Sequence, residues 1–300
     1  MKLGTVIVFG AMVFFLATSQ PYAAGTNRVM PCPICGVTID DSWEVGAPVQ
    51  KKIIQGLQAF THKPMARIVY DKNYKASHYS AMTSAIHAAA YVMASPVDSF
   101  YMKSFTRPAY LARFKDYLDT LGNDVDIWEV GNEINGWAWL GKDVPLIVNK
   151  MHDAYQEVHN RGKNTALTLY EFKPGDQPVP MLTWAQNNVP ADMRSGLNYV
   201  LVSYYEDNNE GYQPDWTALF ARLQTLFPNA KLGIGECGNT ATNATTSSKI
   251  AMIHHYYEMP KYVANYVGGY FWWTWVKDAI PYQNNQIWNA MNQAMAKQKY

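Results

Sequence analysis

Residues 126–135 read DIWEVGNEIN, and this stretch decides how the rest of the chain is interpreted. Its first half is rich in β-branched and aromatic residues, which is typical of a buried strand, and it leads directly into Asn132 and Glu133. A second stretch, KLGIGE at 231–236, likewise ends on an acid, Glu236. In parallel barrels the active site lies at the carboxyl ends of the strands, so carboxylates at these two positions are expected to lie there.

Strand-like runs alternate with amphipathic helical stretches along the remaining sequence, as in a parallel sheet with crossover helices. Eight strands are predicted, at 35–39, 66–70, 90–94, 125–130, 165–170, 199–204, 231–235 and 269–275. Eight helices are predicted near 49–60, 79–88, 109–121, 144–160, 181–187, 216–226, 247–259 and 285–297. Eight units over about 265 residues match the size of a (β/α)8 TIM barrel, so we predict an α/β protein of this fold.

A doubly wound open sheet is the rival architecture, and it would usually carry a glycine-rich turn after its first strand. The predicted first strand is followed by DDSW at 40–43, which is not such a turn. The sequence also has no linker, internal repeat or low-complexity segment. We therefore expect a single barrel domain over residues 25–300.

The first 24 residues resemble a signal peptide. Lys2 precedes a largely apolar, uncharged run at 3–17, and small residues follow it. The run is short for a membrane-spanning helix. We expect a signal peptide at 1–24 and a secreted or periplasmic protein, with an uncleaved membrane anchor as the alternative.

The composition limits the possible partners. A net charge of +1 without a basic stripe argues against a nucleic acid partner. Ten Trp and 21 Tyr are more than a core of this size needs, so some are expected to form platforms for sugar rings, although packing is the alternative for any single one. We expect a monomer that binds a polysaccharide or oligosaccharide and has no stable membrane partner.

Cysteine and histidine give no sign of a metal site or a cofactor. Cys32 and Cys35 have CxxC spacing but no second pair, so a local disulfide and free buried thiols both remain open. Cys237 is expected at the opposite end of the barrel from Cys35, where a bridge between them is difficult. No HExxH or HxH zinc pattern and no G-x-S-x-G motif occurs.

The two acids point to a specific chemistry. Strands four and seven lie across the mouth of an eight-stranded barrel, so Glu133 and Glu236 can face each other over one bond. Glycoside hydrolysis needs such a pair, one to protonate the leaving oxygen and one to attack the anomeric carbon. A separation near ~5 Å leaves no room for an intervening water and gives retention of configuration.

The WEVGNE motif at 128–133, together with a Glu ending strand seven, resembles the large clan of retaining glycosidases with (β/α)8 barrels, clan A. That clan includes cellulases, mannanases, xylanases and β-galactosidases. The resemblance implies that Glu133 is the general acid/base and Glu236 the nucleophile. It further implies that Asn132 hydrogen-bonds the 2-hydroxyl group of the cleaved sugar.

The same resemblance extends to three supporting residues. Arg67 matches a second-strand Arg near the nucleophile, where a cation would keep Glu236 ionised. Tyr205 resembles a sixth-strand Tyr that donates to the nucleophile, although the neighbouring Tyr204 is an alternative because only one of the two can face inward. Trp273 resembles an eighth-strand Trp beneath the sugar, with Trp272 and Trp275 as alternatives.

Each assignment has a structural alternative. Glu133 could be a carboxylate at a helix N-terminus, Glu236 a structural acid, and Arg67 the partner of any acid in the core. Trp137 and Trp139 follow the acid/base closely and are expected to line a leaving-group subsite, unless they form the core of a folded-back loop.

Two departures leave the individual family open. Ser203 stands where many members of the clan have a His. The third strand ends in Ala94, Ser95 and Pro96, without the usual polar neighbour.

Taken together, these residues predict an exported retaining glycoside hydrolase that cleaves β-linked polysaccharides internally by double displacement, without a cofactor. The alternative is a non-catalytic carbohydrate-binding protein on a degenerate barrel. Such a protein would keep the Trp platforms but would not need both Glu133 and Glu236.

Overall fold

A computed structural model describes residues 28–40 and 47–299 of the chain. They form eight parallel strands paired in chain order, and the eighth strand pairs with the first, so that the sheet closes into a barrel. The strands are β1 Ile34–Ile39, β2 Met65–Val69, β3 Tyr91–Ser95, β4 Ile127–Gly131, β5 Asn164–Tyr170, β6 Tyr199–Ser203, β7 Lys231–Cys237 and β8 Tyr266–Trp272. The predicted (β/α)8 fold is confirmed.

Helices follow the strands and cover the outside of the barrel. They are α1 Ala47–Gln58, α2 Ala76–Ala89, α3 Arg107–Leu121, α4 Trp137–Leu140, α5 Val144–Asn160, α6 Met181–Asn188, α7 Ala191–Gly196, α8 Trp216–Leu226, α9 Thr246–Tyr257, α10 Trp275–Ala279 and α11 Gln286–Lys297. Two 3₁₀ turns, Ser99–Ser104 and Asp207–Asn209, lie in the loops after β3 and β6.

Several helices begin where short polar side chains cap their free backbone N–H groups. The Thr106 hydroxyl accepts from Ala109 N ahead of α3, and Asp215 accepts from Ala218 N ahead of α8. Such caps satisfy donors that have no partner inside the helix and stabilise each helix by about 1 kcal/mol. The starts of these helices are therefore fixed locally by the sequence.

The barrel interior changes character along its axis. An apolar cluster that includes Met65, Met93 and Ile127 fills the part near the amino ends of the strands. Two residues further along β2 and β4, the inward positions are occupied by Arg67 and Glu129, both fully buried. Because side chains alternate along a strand, this change places charged groups directly beneath the carboxyl end of the barrel.

The eighth strand differs from its prediction. The predicted span 269–275 is displaced from the observed Tyr266–Trp272, and Trp275 begins α10 instead. Gly268 and Gly269 have φ of 87° and 110°, and the pairing of β8 with β7 shifts register beside them. Glycine accommodates such backbone without a Cβ penalty, and the aromatic run that follows is more strand-like in composition than the strand's own beginning.

The helices α4, α7 and α10 are short and were not predicted, since one turn gives no detectable periodicity. The predicted signal peptide at 1–24 lies outside the described residues. Within the part of the chain that is described, no helix is long and apolar enough to cross a membrane.

Candidate active site

A cavity of 470 Å³ opens at the carboxyl end of the barrel, and we call it the main cavity. Glu133 from the end of β4 and Glu236 from the end of β7 both line it. Both side chains are buried, with exposed fractions of 5% for each residue. Two acids that lie far apart in sequence therefore share one cavity.

Each carboxylate oxygen of Glu236 has its own partner. Oε1 lies 2.7 Å from Nη1 of Arg67, and Oε2 accepts a 2.6 Å hydrogen bond from the hydroxyl of Tyr205. The ion pair with Arg67 and the hydrogen bond from Tyr205 together fix the orientation of the carboxylate. Burial and the negative charge of Glu236 also raise the pKa of Tyr205 well above its usual range, so the phenol keeps the proton it donates.

Arg67 pairs with two acids at once. Its Nη2 lies 2.7 Å from Oε2 of Glu129, while Nη1 contacts Glu236. Both arginine and Glu129 are fully buried, and Thr168 donates its hydroxyl proton to Oε1 of Glu129. Arg67 therefore pairs with a core acid as well as with Glu236, and Glu129 anchors the guanidinium from below.

The backbone at Glu133 is held in an unusual conformation. Its φ is 45°, in the left-handed region that non-glycine residues rarely adopt. The next turn is tied to β5 by Asn135, whose side chain donates to Tyr170 O and accepts from Tyr170 N, both at 2.8 Å. Such conformations persist only where the surroundings enforce them, and they concentrate at functional sites.

The environment of Glu133 favours its protonated form. Burial raises the pKa of Glu133 well above its usual range, and the negative charges of Glu236 and Asp98 raise it further. The Ser99 hydroxyl lies 3.4 Å from Oε2 of Glu133, at the long end of hydrogen bonding. One acid thus contacts a cation directly, whereas the other has no cation of its own among the described residues.

Asp98 also brings its carboxyl group into the main cavity. Its Oδ1 accepts from Phe100 N at 2.8 Å, at the start of the 3₁₀ turn after β3. Burial raises its pKa to about 6, and the charge of Glu236 contributes to that rise. The third strand was predicted to end without a polar neighbour, and Asp98 supplies one a few residues later.

Asn132 and the two tyrosines after β6 have distinct surroundings. Asn132 lines the main cavity, and its Oδ1 is buried without a hydrogen-bond partner among the described residues. Tyr205 faces Glu236, whereas the Tyr204 hydroxyl donates to the backbone carbonyl of Tyr212. The Ser203 hydroxyl accepts a 3.1 Å hydrogen bond from Glu236 N and so holds the backbone at Glu236.

Trp273 lines the main cavity and is partly exposed, while its neighbours Trp272 and Trp275 are fully buried. Its backbone N donates to Cys237 O at 2.7 Å, and its peptide bond to Thr274 is cis. A Cβ on Gly238 would lie 2.2 Å from Trp273 O, so only glycine permits this close approach of the β7 and β8 loops. The indole is therefore positioned directly beside the end of β7.

The two tryptophans after β4 differ in their position relative to the main cavity. Trp139 lines the main cavity and stacks on Phe100, with ring centroids 5.6 Å apart and planes 19° apart. Phe100 is 58% exposed and also lines the cavity, which makes the pair an aromatic ledge at its rim. Trp137 is 43% exposed and lies outside the cavity lining.

Three contributors were missed by the sequence reasoning: Asp98, Glu129 and Asn135. Glu129 stands within the quoted WEVGNE motif, and an acid in the middle of a buried strand is a usable signal because it requires a buried partner. Asp98 and Asn135 lie in loops, where no spacing rule shows which way a side chain faces.

No cysteine lines the main cavity. All three are free thiols, so neither disulfide forms, and burial raises the pKa of Cys35 to about 12. In the described ranges, no group of three or more His, Cys, Asp or Glu residues is arranged to hold a metal ion.

Comparison with known proteins supports the fold. No protein-family model and no curated protein matches the chain. Among solved structures, Saccharomyces cerevisiae Gas2p in complex with laminaripentaose is similar with a TM-score of 0.56 at 13% identity, over 89% of this chain and 65% of that chain. A glucosidase from Croceicoccus marinus is similar with a TM-score of 0.57 at 12% identity, over 91% of this chain and 68% of that one.

The chain spans about two thirds of the length of these neighbours, 65% for Gas2p and 68% for the glucosidase. At such low identity the likeness concerns the fold alone. The resemblance to (β/α)8 glycoside hydrolases that the motifs indicated is confirmed at that level, in the closed eight-stranded barrel of this chain.

Proposed function

We propose that the protein is a retaining glycoside hydrolase that cleaves β-linked poly- or oligosaccharides, with Glu133 as acid/base and Glu236 as nucleophile. The observation that carries the proposal is that two acids in one cavity have contrasting surroundings. Glu236 is paired through both oxygens with Arg67 and Tyr205, while burial and neighbouring charge raise the pKa of Glu133. Environments that separate two acids in this way assign the acid and the nucleophile.

In the first step, a carboxylate oxygen of Glu236 attacks the anomeric carbon of the sugar. The bond from that carbon to the leaving oxygen breaks, and Glu133 donates its proton to this oxygen. The products are a free alcohol and a glycosyl ester on Glu236. Because the attacking oxygen becomes part of an ester, Glu236 loses its charge, and the pKa of Glu133, which that charge raised, falls.

In the second step Glu133 acts as a base toward water, because its lowered pKa leaves it ionised. The Glu133 carboxylate takes a proton from a water molecule, and the water oxygen attacks the anomeric carbon. The ester bond breaks, Glu236 regains its negative charge, and Glu133 is again protonated. Two inversions at one carbon give net retention, and no cofactor enters either step.

The remaining lining residues fit a sugar ligand. Asn132 offers a hydroxyl group a buried carbonyl oxygen that no donor in the described part of the chain reaches, and Trp273 offers an aromatic face to the apolar side of the ring. Trp139 and Phe100 extend the aromatic surface on the Glu133 side, where the leaving group departs. We expect internal cleavage of an extracellular glycan, and laminari-oligosaccharides, which Gas2p binds, are suitable first probes.

The test is a panel of fluorogenic aryl β-glycosides and β-glucan oligosaccharides, with product configuration followed by NMR. The wild type should release product with retained configuration, and the Glu236→Gln variant should lose at least ~10³-fold in turnover. Inverted product would exclude the double displacement.

The carbohydrate-binding alternative is decided by the same proteins. Equal sugar affinity for the wild type and the Glu236→Gln variant, with no turnover of any glycan by either, would support a binding protein. Turnover by the wild type alone supports the enzyme.

A further inference from the structure

A second cavity of 630 Å³ adjoins the main one. Asp40, Thr240 and Trp273 line both cavities, so the two spaces meet at these three residues. The rest of the second cavity is built from the loops after β7 and β8 and from the start of α1. Since β4 and β8 lie on opposite sides of an eight-stranded barrel, the second cavity is on the far side of Trp273 from Glu133.

The wall shared by the two cavities is anchored. Thr240 donates to Oδ2 of Asp207 through both its backbone N, at 2.8 Å, and its hydroxyl, at 2.9 Å. Trp273 is held against β7 by its bond to Cys237 O. The two cavities therefore adjoin at residues that are held by bonds to other parts of the barrel rim.

The second cavity contains an unpaired buried acceptor. Asn239 is only 8% exposed, and its Nδ2 donates to the Ser248 hydroxyl at 3.2 Å. Its Oδ1 is buried, and no donor within residues 28–40 or 47–299 reaches it. A buried carbonyl left unpaired costs about 1–3 kcal/mol, so this oxygen favours a ligand that brings a hydroxyl group.

The charges of the second cavity suit a neutral ligand. Asp278 is already occupied, because it pairs with Lys249 and accepts from Trp272 Nε1 at 3.0 Å. Lys277 is exposed and forms no ion pair with any described acid, so its ammonium group can donate to a sugar oxygen. With two lysines and two aspartates, Asp40 included, the cavity has no net charge that would select a charged sugar.

We propose that the second cavity binds the sugar residues on the non-reducing side of the cleaved bond. This inference rests on the proposed function, since Glu133 marks the side on which the leaving group departs. A neutral β-linked chain would cross the face of Trp273 and place hydroxyl groups against Asn239 Oδ1 and Lys277. The ligand class is therefore a neutral β-glycan of several sugars.

The experiment compares kcat/KM for reduced laminari-oligosaccharides of two to six sugars. For the wild type, kcat/KM should rise by at least ~10-fold with chain length, because sugars bound remotely contribute to transition-state binding. Asn239→Ala should reduce the ratio of long to short substrate by about 3- to 10-fold, which corresponds to one neutral hydrogen bond. Ala244→Trp, which fills the cavity with a large side chain, should abolish the rise.

Lys115→Ala on α3 is the matched control, since Lys115 lines neither cavity and should leave the ratio at its wild-type value. Ala244→Trp also guards against misfolding of the Asn239 variant, because residue 244 is in a loop and is not fully buried. Turnover that does not depend on chain length, or an Ala244→Trp variant with the wild-type ratio, would overturn the inference while leaving the proposed function intact.

If the wild type cleaves none of these substrates, calorimetry with the same oligosaccharides decides the inference separately from the proposed function. Affinity that increases with chain length and is lost in Ala244→Trp would support the second cavity as a glycan site. Affinity unchanged by that substitution would overturn it.

Discussion

Arg67 connects the barrel core to the proposed nucleophile, and its removal is the sharpest test of this arrangement. Arg67→Met keeps most of the side-chain volume but removes the only cation that contacts Glu129 and Glu236 in the described structure. Two carboxylates would then remain in a site where Arg67 itself is 1% exposed. Removing one partner of a buried ion pair costs about 3–5 kcal/mol, because the remaining charge is left uncompensated.

This loss should appear as a change in the free energy of unfolding, measured by urea denaturation at pH 7. A loss of about 3–5 kcal/mol would also lower the melting temperature by roughly 6–20 °C for a domain of this size. Arg107→Met is the matched control, because Arg107 pairs with Asp153 at the surface and its side chain is 48% exposed. Solvent screens that pair, so its loss should be far smaller than that at position 67.

A double-mutant cycle separates the contributions of the two acids. Adding Glu129→Gln to Arg67→Met removes one of the stranded charges, so the double variant should be more stable than Arg67→Met alone. Unfolding midpoints of Arg67→Met and Arg107→Met that shift equally would refute the reasoning. A double variant whose losses simply add would equally refute the claim that Arg67 and Glu129 act as a pair.

Three further predictions concern the cavity itself. Because burial and the charge of Glu236 raise the pKa of Glu133, kcat/KM should fall at high pH as this acid ionises. The Glu133→Gln variant, assayed with an aryl glycoside whose leaving group needs no proton, should lose this basic limb of the pH profile, and an unchanged limb would contradict the assignment. Tyr205→Phe should lower kcat/KM by about 10- to 100-fold through loss of its hydrogen bond to Glu236, whereas Tyr204→Phe should spare turnover; equal losses would reject the choice between them. Burial raises the pKa of folded Asp98 to about 6 against about 4 in the unfolded chain, so this acid should make stability decline as pH rises through that window. Urea titrations at several pH values should show a smaller slope for Asp98→Asn, because the raised pKa values of Glu133 and Glu171 add slopes of their own; an unaltered slope would show that Asp98 does not contribute.

Helices and strands were predicted accurately from the sequence where local signals set their ends, and less accurately where tertiary contacts set them. The helices at 144–160 and 216–226 were predicted with their observed bounds, because caps and periodicity fix their ends. The start of β8 was missed because Gly268 and Gly269 weaken the strand signal. Both glycines are required by close approaches of neighbouring strands, which are tertiary contacts: a Cβ on Gly269 would lie 1.9 Å from Ile234 O of β7, and one on Gly268 would lie 2.6 Å from Ile34 O of β1.

The sequence by itself determined the barrel and the two acids at its mouth. Alternating β and α patterns specify the fold, and a carboxylate that ends a strand must lie at the carboxyl end of the barrel. Both are consequences of order along the chain, and need no knowledge of which side chains meet.

Only the tertiary structure decided what surrounds those acids. Arg67 and Glu129 lie 62 residues apart in the chain, yet their side chains bond inside the barrel. Asp98 enters the main cavity from a loop, and the second cavity forms where the loops after β7 and β8 meet Asp40 and the start of α1. Contacts of this kind depend on strand tilt, register and loop path, which arise only when the sheet closes, because closure brings distant segments to one rim.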